Sequence, residues 1–375
     1  MTTTAPETAA SPTIVIAGGV LTLDVSADDA AQWLADGLRS VIHDADVVFA
    51  PMAGGGPGTS AMFGGETITL PTTDAAGRLT DATYVYDSAS ATAFIDLAAA
   101  SGWDRVRDTP VPLTGDTYGT GVLIADAQTR GASRIVLSTG GAATLDGGTG
   151  ILVALGANPL APNGRNLVPG ATGLAECADL DTAVTNIPAA SLDFLVLADA
   201  PVAATGDNGA ARVYGPHIGA SEDEVVRADQ GLARLCEVAG VDPSTPGIGA
   251  GGAVAVGITW LSSILHGTAD HVTVAPGAHV IAQLHDLPAL LDRASLVITS
   301  GTNGTSSDES VAATVLGLAA ARETTAAVID IAATDAASAA DISVQLPTTG
   351  DPREELEAAG ARIAVDYLRI STVHG

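Results

Sequence analysis

Short apolar runs that stop abruptly at glycines recur along this chain of 375 residues, and they restrict it to one broad architecture. Thr13–Ala17 reads as a continuous apolar run and ends at Gly18-Gly19. A strand with one wet face would alternate, whereas an unbroken run suits a strand buried on both faces of a parallel sheet. Val47–Ala50 reads as a second buried strand, and it passes straight into Pro51-Met52-Ala53-Gly54-Gly55-Gly56-Pro57-Gly58-Thr59. Between them Ser26 is placed to cap a helix, with Asp28 and Asp29 in the first turn where carboxylates suit the helix dipole. Ala30, Trp33, Leu34, Leu38 and Val41 then share one helical face. Strand, helix, strand and glycine loop make a βαβ opening.

The texture changes after this opening. Glu66–Leu70 and Thr83–Tyr86 alternate as half-exposed strands around a turn at Asp74–Arg78. Phe94–Ala100 predicts a helix, Val122–Thr129 another, and Arg134–Ser138 a strand that ends at Thr139-Gly140-Gly141. Further on, Gly247–Gly252 leads into a long apolar helix. Leu284–Arg293, Val311–Arg322 and Arg353–Ala359 read as helices, and Leu296–Thr299 and Thr325–Ile331 as strands. The expected fold is α/β. A tail, 1–12, precedes a doubly wound, mostly parallel, Rossmann-like or flavodoxin-like domain made from 13–64 and 245–375, with a second α/β domain, 65–244, inserted in it.

Composition narrows the chemistry. Aromatics are 3% against 43 glycines, so the core must come from Ala, Val, Leu and Ile with many tight turns. Charged residues are 15%, against an ordinary fraction near 25%. The net charge of −28 reflects 43 acidic residues against only 15 basic ones, and all 15 are arginine, so the chain has no lysine. A field of that sign repels phosphate polyanions, so neither nucleic acid nor a membrane surface is an expected partner. Cys177 and Cys236 form no CxxC, which suggests neither a disulfide framework nor a zinc site. Met1–Ser11 lacks the basic and apolar regions of a signal peptide. The uncharged run Gly247–Leu265 opens on glycines and carries Ser262 and Ser263, which favours a buried helix over a membrane span. A cytoplasmic location is expected.

Glycine-rich segments come after strands at Gly54–Thr59, Gly140–Gly150, Gly247–Gly252 and Gly301–Ser310. In open α/β sheets ligands sit outside the carboxyl ends of strands, where glycines let the backbone approach an anion. None is a Walker A loop, which needs a lysine. Ala50-Pro51-Met52-Ala53-Gly54-Gly55-Gly56-Pro57-Gly58-Thr59 resembles the V-P-M-A-D-G-G-E-G-T segment of the type I glycerate kinase family. Thr117-Tyr118-Gly119-Thr120-Gly121 is similar to its T-Y-G-T-G. Gly140-Gly141-Ala142-Ala143-Thr144-Leu145-Asp146-Gly147-Gly148-Thr149-Gly150 is similar to its G-G-S-A-T-N-D-G-G-A-G. Asn208-Gly209-Ala210-Ala211 followed by Val213-Tyr214-Gly215-Pro216 matches its N-G-A-A and V-F-G-P, and Leu296-Val297-Ile298-Thr299 matches the strand before its glycine- and acid-rich loop. The resemblance keeps order from about Thr13 to about Ile331. It implies two α/β domains with a cleft between them, and ATP- and Mg²⁺-dependent phosphorylation of a small organic acid, glycerate. By the same resemblance Asp146 and Asp199 are candidate catalytic residues, with Asp146 also a candidate metal contact. Gly54, Gly55, Gly56, Gly58, Thr59, Gly140, Gly141, Gly147 and Gly148 would hold the cofactor. Thr117, Tyr118, Gly119, Asn208 and Arg212 would meet the substrate.

The departures from the family pattern run one way. The opening D-S-F-K-G is replaced by Gly18-Gly19-Val20-Leu21-Thr22. Gly54 and Pro57 replace an acid and a glutamate, and Ala142 and Leu145 replace a serine and an asparagine. In the D-V-D-N-P segment Leu197 and Ala200 replace an acid and an amide while Asp199 and Pro201 remain. Ser300-Gly301-Thr302-Asn303-Gly304-Thr305 has lost the glutamate and arginine of G-E-G-R-x-D, with Asp308 as the available acid. His217 stands at the glutamine of G-P-Q-K, and the seven histidines show no metal-ligand spacing. Phosphoryl transfer rests on positioning and on charge that stabilises the transferred group, so these losses predict a retained frame with much of the chemistry removed. Three readings stay open: an altered glycerate kinase, a non-catalytic sensor or regulator, and a partner subunit of an active homologue. For Asp146 and Asp199 the structural alternatives are capping the helix begun at Gly147 and forming the turn before Pro201.

Overall fold

The computed structural model describes residues 11–19, 25–301, 310–331, 335–347 and 349–374. The chain separates into two units, Met1–Ala53 with Ile281–Gly375, and Gly54–Val280.

The first unit holds β1 (Thr13–Ile16) and β2 (Asp46–Phe49) from its opening segment. The second unit contributes β3 (Glu66–Thr73), β4 (Leu79–Asp87), β5 (Thr92–Asp96), β6 (Arg134–Ser138), β7 (Asn158–Leu160), β8 (Asp179–Asp181), β9 (Asp193–Ala198) and β10 (Val272–Pro276). The chain then returns to the first unit with β11 (Leu296–Ser300), β12 (Thr325–Asp330) and β13 (Ile342–Gln345).

The first unit is a parallel sheet in the order β13-β12-β11-β1-β2. Renumbered within the unit this is the flavodoxin-like order, and the winding reverses between β1 and β11. β11 is buried along its whole length, as a central strand should be. β2 differs from expectation: it is exposed at both ends because it is an edge strand bonded only to β1, and Phe49 is 43% exposed. Ser26 caps the helix Ala27–Val41 through a 3.1 Å bond from the Asp29 N–H. That helix packs along Pro352–His374, a helix much longer than the expected Arg353–Ala359. Glycines permit the approach, since a Cβ on Gly37 would stand 2.0 Å from the Glu357 carbonyl oxygen and one on Gly360 2.3 Å from that of Leu34. Where one helix was expected over Leu284–Arg293, two short ones form, Gly277–Leu284 and Leu287–Leu291, broken at Asp286 with φ of 49°.

The second unit is a six-stranded sheet in the order β10-β9-β6-β5-β4-β3, parallel from β10 to β5 and antiparallel beyond. The expected helix at Phe94–Ala100 is instead β5 with a single helical turn after it at Ala98–Ser101. Thr92, Ala93, Ile95 and Asp96 are buried between β4 and β6, and pairing on both sides overrides the helix-forming alanines beyond them. β10 pairs with β9, so the segment from 245 to 280 builds this sheet and the boundaries fall at Ala53 and Val280, not at the expected 64 and 245. Gly251, Gly252 and Ala253 form a left-handed turn at the start of Ala250–His266, whose body is almost wholly buried. No helix among the described residues is long and apolar enough to cross a membrane.

Candidate active site

Four parallel strands of the second unit, β10, β9, β6 and β5, end side by side and lead into Gly277, Asp199, Thr139-Gly140-Gly141 and Leu97 respectively. The segment Gly54–Gly58 crosses these ends in order. A Cβ on Gly277 would lie 2.5 Å from the Gly54 carbonyl oxygen, and one on Gly55 2.7 Å from that of Leu197. Gly140 donates its N–H to the Gly55 carbonyl at 2.8 Å, and its own absent Cβ would stand 2.7 Å from the Gly56 Cα. At the far side the Gly58 N–H donates to Asp96 Oδ2 at 2.9 Å. Gly277, Gly55 and Gly140 are therefore small because loop and strand ends interleave. Gly56 and Gly58 face open space and are free to approach a ligand. Thr59 is buried, its hydroxyl donating to the Gly56 carbonyl at 2.7 Å, and Gly141 backs onto the Pro57 ring.

Three carboxylates stand in this region, and they differ in how their oxygens are engaged. Asp96 is buried and accepts from the Gly58 N–H, the Ser60 N–H and the Ser60 hydroxyl. Burial pushes its carboxyl above the usual range, and those donors pull it back. Asp146 is fully buried: its Oδ2 accepts from the Thr117 N–H, the Thr117 hydroxyl and the Gly150 N–H, and its Oδ1 from the Gly148 N–H. It thereby joins the starts of the helices Tyr118–Thr129 and Thr149–Ala154. Burial again raises its carboxyl against the opposing pull of these donors. This resembles a cap: three donors fill Oδ2 and a fourth, at 3.2 Å, meets Oδ1 in a site closed to solvent.

Asp199 is the exception. It is half-buried, and its Oδ1 meets the Thr139 hydroxyl at 3.3 Å and the Tyr214 hydroxyl at 3.4 Å, both long. The Thr139 hydroxyl also donates to the Leu197 carbonyl at 2.9 Å, which uses its one proton. Among the described residues no other residue donates to Asp199 Oδ2, which lies beside Gly140, 3.1 Å from where a Cβ would be. Burial raises the Asp199 carboxyl, and burial together with the Asp199 charge raises the Tyr214 phenol well above its ordinary value.

The remaining expected residues scatter. Thr117 and Gly119 are buried in packing, with a Cβ on Gly119 only 1.9 Å from the Thr73 carbonyl oxygen, whereas Tyr118 is 40% exposed. Gly147 and Gly148 hold positive φ and abut Leu235 and the Val254 carbonyl. Asn208 and Arg212 are exposed, and the Arg212 guanidinium lies 3.8 Å from Asp207. They flank the start of the helix Ala210–Tyr214, whose last residue reaches Asp199. Sequence reasoning passes over Asp96, Thr139 and Tyr214. The only signal is an acid or hydroxyl closing an apolar run, and at Asp96 the helical reading hides it.

In the first unit, Gly18-Gly19 and Thr299-Ser300 meet where the winding reverses, with the Gly19 N–H donating to Ser300 Oγ at 3.2 Å. Among the described residues the buried Thr299 hydroxyl has no partner, and it lies beside a cavity of about 30 Å³ that suits a water or two. Val20-Leu21-Thr22, Thr302–Thr305 and Asp308 lie outside the described residues. Among the described residues no group of three or more His, Cys, Asp or Glu is placed to hold a metal ion by itself, and no arginine is bonded to Asp96, Asp146 or Asp199.

Known proteins share both the sequence pattern and the fold. The sequence profile of the glycerate kinase family matches residues 14–354. A glycerate 2-kinase of Escherichia coli K12 is 35% identical over 277 residues, covering 70% of this chain and 72% of the relative. A glycerate kinase of Halalkalibacterium halodurans is 32% identical over 298 residues, covering 76% of each. The crystal structure of a protein assigned as glycerate kinase 2 from Salmonella typhimurium LT2 superposes with a TM-score of 0.77 at 26% identity, covering 96% of this chain and 99% of the other.

Proposed function

This chain belongs to the glycerate kinase family, and from that premise we propose that it transfers a phosphoryl group from ATP to a hydroxyl of glycerate, with Asp199 as the residue that receives the hydroxyl proton. The observation that carries the reading is the unengaged Oδ2 of Asp199 between the Gly55-Gly56 and Gly140 loops. In the transfer the bond from the γ-phosphorus to its bridging oxygen breaks, ADP leaves, a new bond forms to the glycerate oxygen, and the hydroxyl proton passes to Asp199. Its half-buried setting makes the carboxylate a stronger base than a surface aspartate. The Tyr214 hydroxyl holds it in place, with Thr139 packed beside it.

The residues present fit Mg²⁺ in the manner of kinases, where the ion keeps waters and phosphate oxygens and takes one or two carboxylates. With Oδ2 of Asp199 given to the hydroxyl proton, the protein contact to the ion would be its other oxygen, Oδ1, whose two hydroxyl contacts are long. When bound, Mg²⁺ supplies positive charge at the transferring phosphate, which matters in a chain with no lysine. Gly56 and Gly58, open above the strand ends, let the backbone approach the nucleotide.

The test is coupled ADP release with Mg²⁺-ATP and D-glycerate, comparing the natural chain with Asp199→Asn. Glycerate-dependent turnover that the substitution removes supports the reading, and turnover that survives it removes Asp199 from the chemistry. A second reading, a non-catalytic relative acting as sensor, regulator or partner of an active homologue, is favoured by the absence of lysine and, among the described residues, of any arginine bonded at the strand ends. Glycerate or ATP binding by calorimetry with no turnover from folded protein would select it.

A further inference from the structure

A cavity of about 120 Å³ opens beside the starts of the helices Tyr118–Thr129 and Thr149–Ala154, lined chiefly by Asp116, Tyr118, Val153, Leu167, Val168 and Leu174. Its walls are apolar, yet its rim is exposed to an unusual degree for such side chains: Tyr118 is 40%, Val153 41% and Val168 62% accessible. Apolar side chains gathered at the mouth of a cavity, with one charged group in its wall, are the usual dress of a small-molecule site. The charged group is Asp116. Its Oδ1 accepts from the Tyr118 N–H at 3.0 Å, and among the described residues nothing donates to its Oδ2.

Charge decides what the cavity can take. Two carboxylates face this corner, Asp116 from the loop before one helix and the buried Asp146 beneath both. Against their two negative charges stand two helix N-termini, each worth roughly half a positive charge and less for the short second helix. No arginine or histidine lines the space. About one negative charge is left uncompensated; separately, burial first and the Asp146 charge second push the Asp116 carboxyl up to about 6. Glycerate, nucleotide and phosphate are all anions and are disfavoured here.

We infer that this cavity is a second ligand site, separate from the phosphoryl-transfer chemistry, for a small primary ammonium ion carrying a short apolar chain. An apolar cavity of roughly 150 Å³ holds benzene, so a body of four or five carbons is the most that 120 Å³ accommodates. The ammonium would lie on Asp116 Oδ2 and the chain against Val153, Leu167 and Leu174.

The experiment titrates n-butylammonium into the full chain by calorimetry in buffered sodium chloride, with 1-butanol as a neutral isostere. The expected result is ammonium binding at least about tenfold tighter than the alcohol, a preference that Asp116→Asn abolishes, where tenfold corresponds to about 1.4 kcal/mol. Val153→Phe, which fills the cavity and leaves Asp116 in place, should weaken both ligands. Equal affinity for amine and alcohol would overturn the inference. So would amine binding unchanged by Asp116→Asn, which would mark it as attraction to the acidic surface, and so would no heat at tens of millimolar from folded protein. Because the readout is binding without nucleotide, it stands or falls separately from glycerate turnover.

Discussion

Asp146 and Asp199 sit in loops at the same end of one sheet, and burial raises the carboxyl of each, but they are built for opposite purposes. Around Asp146 the chain turns four donors inward and closes off solvent. Around Asp199 it offers two long hydroxyl contacts and glycines, and leaves an oxygen bare. Burial and a shifted carboxyl do not mark a reactive group by themselves. What separates a structural carboxylate from a chemical one here is whether its lone pairs are already occupied.

The sharpest way to break this contrast is Asp199→Asn, expected to lower glycerate-dependent ADP release by roughly a thousandfold while the thermal midpoint stays nearly unchanged. A variant that melts early would place Asp199 with Asp146. Next, Asp146→Asn puts an amide NH₂ among backbone N–H donors and should lower the unfolding free energy by about 3 kcal/mol, measured by urea denaturation. An unaltered midpoint would mean its four hydrogen bonds do not hold the two helix starts together. Thr117→Val removes a hydroxyl that donates to Asp146 and accepts from the Ile151 N–H at 3.1 Å, for a loss of about 1–2 kcal/mol in the same measurement.

Asp116 gives the pH dependence. Its folded carboxyl binds a proton more tightly than the unfolded one, so between about 3.8 and about 6 the folded state holds more protons and stability falls as pH rises. Above that window its contribution is level. Asp116→Asn should flatten a decline on the order of 1 kcal/mol, allowing for its partial exposure, in melting curves taken from pH 4 to pH 7. The smallest effect is that of Tyr214→Phe: a few-fold drop in turnover with stability nearly intact, since its 3.4 Å contact is long.

The buried parallel strands are readable because burial on both faces writes an unbroken apolar run, and β1, β6, β11 and β12 lie where such runs predict. The Ser26 cap is readable because it is local. The edge position of β2 is not, since an apolar run carries no mark of where its strand lies in the sheet. β5 escapes because its neighbour β6 comes from distant sequence and its burial depends on being paired on both sides. The candidate site shows the same limit. Asp146 and Asp199 both stand near glycine or proline in the sequence, and only the tertiary positions of Thr117 and Gly150 on one side, and of Tyr214 on the other, distinguish them.

The close crossing of Ala27–Val41 with Pro352–His374 has a consequence for synthesis on the ribosome. β1 and β2 emerge first, yet β11, β12, β13 and the helix that covers them are made only after residues 54–280. At about 5–20 residues per second, the 227 residues from 54 to 280 take roughly 10–45 s, during which the opening βαβ segment has no central strand beside it. A chain ending just after residue 280, once released from the ribosome, is therefore expected to resist protease across 54–280 while 11–53 is cut, and the first strand to leave the ribosome is among the last to be finished.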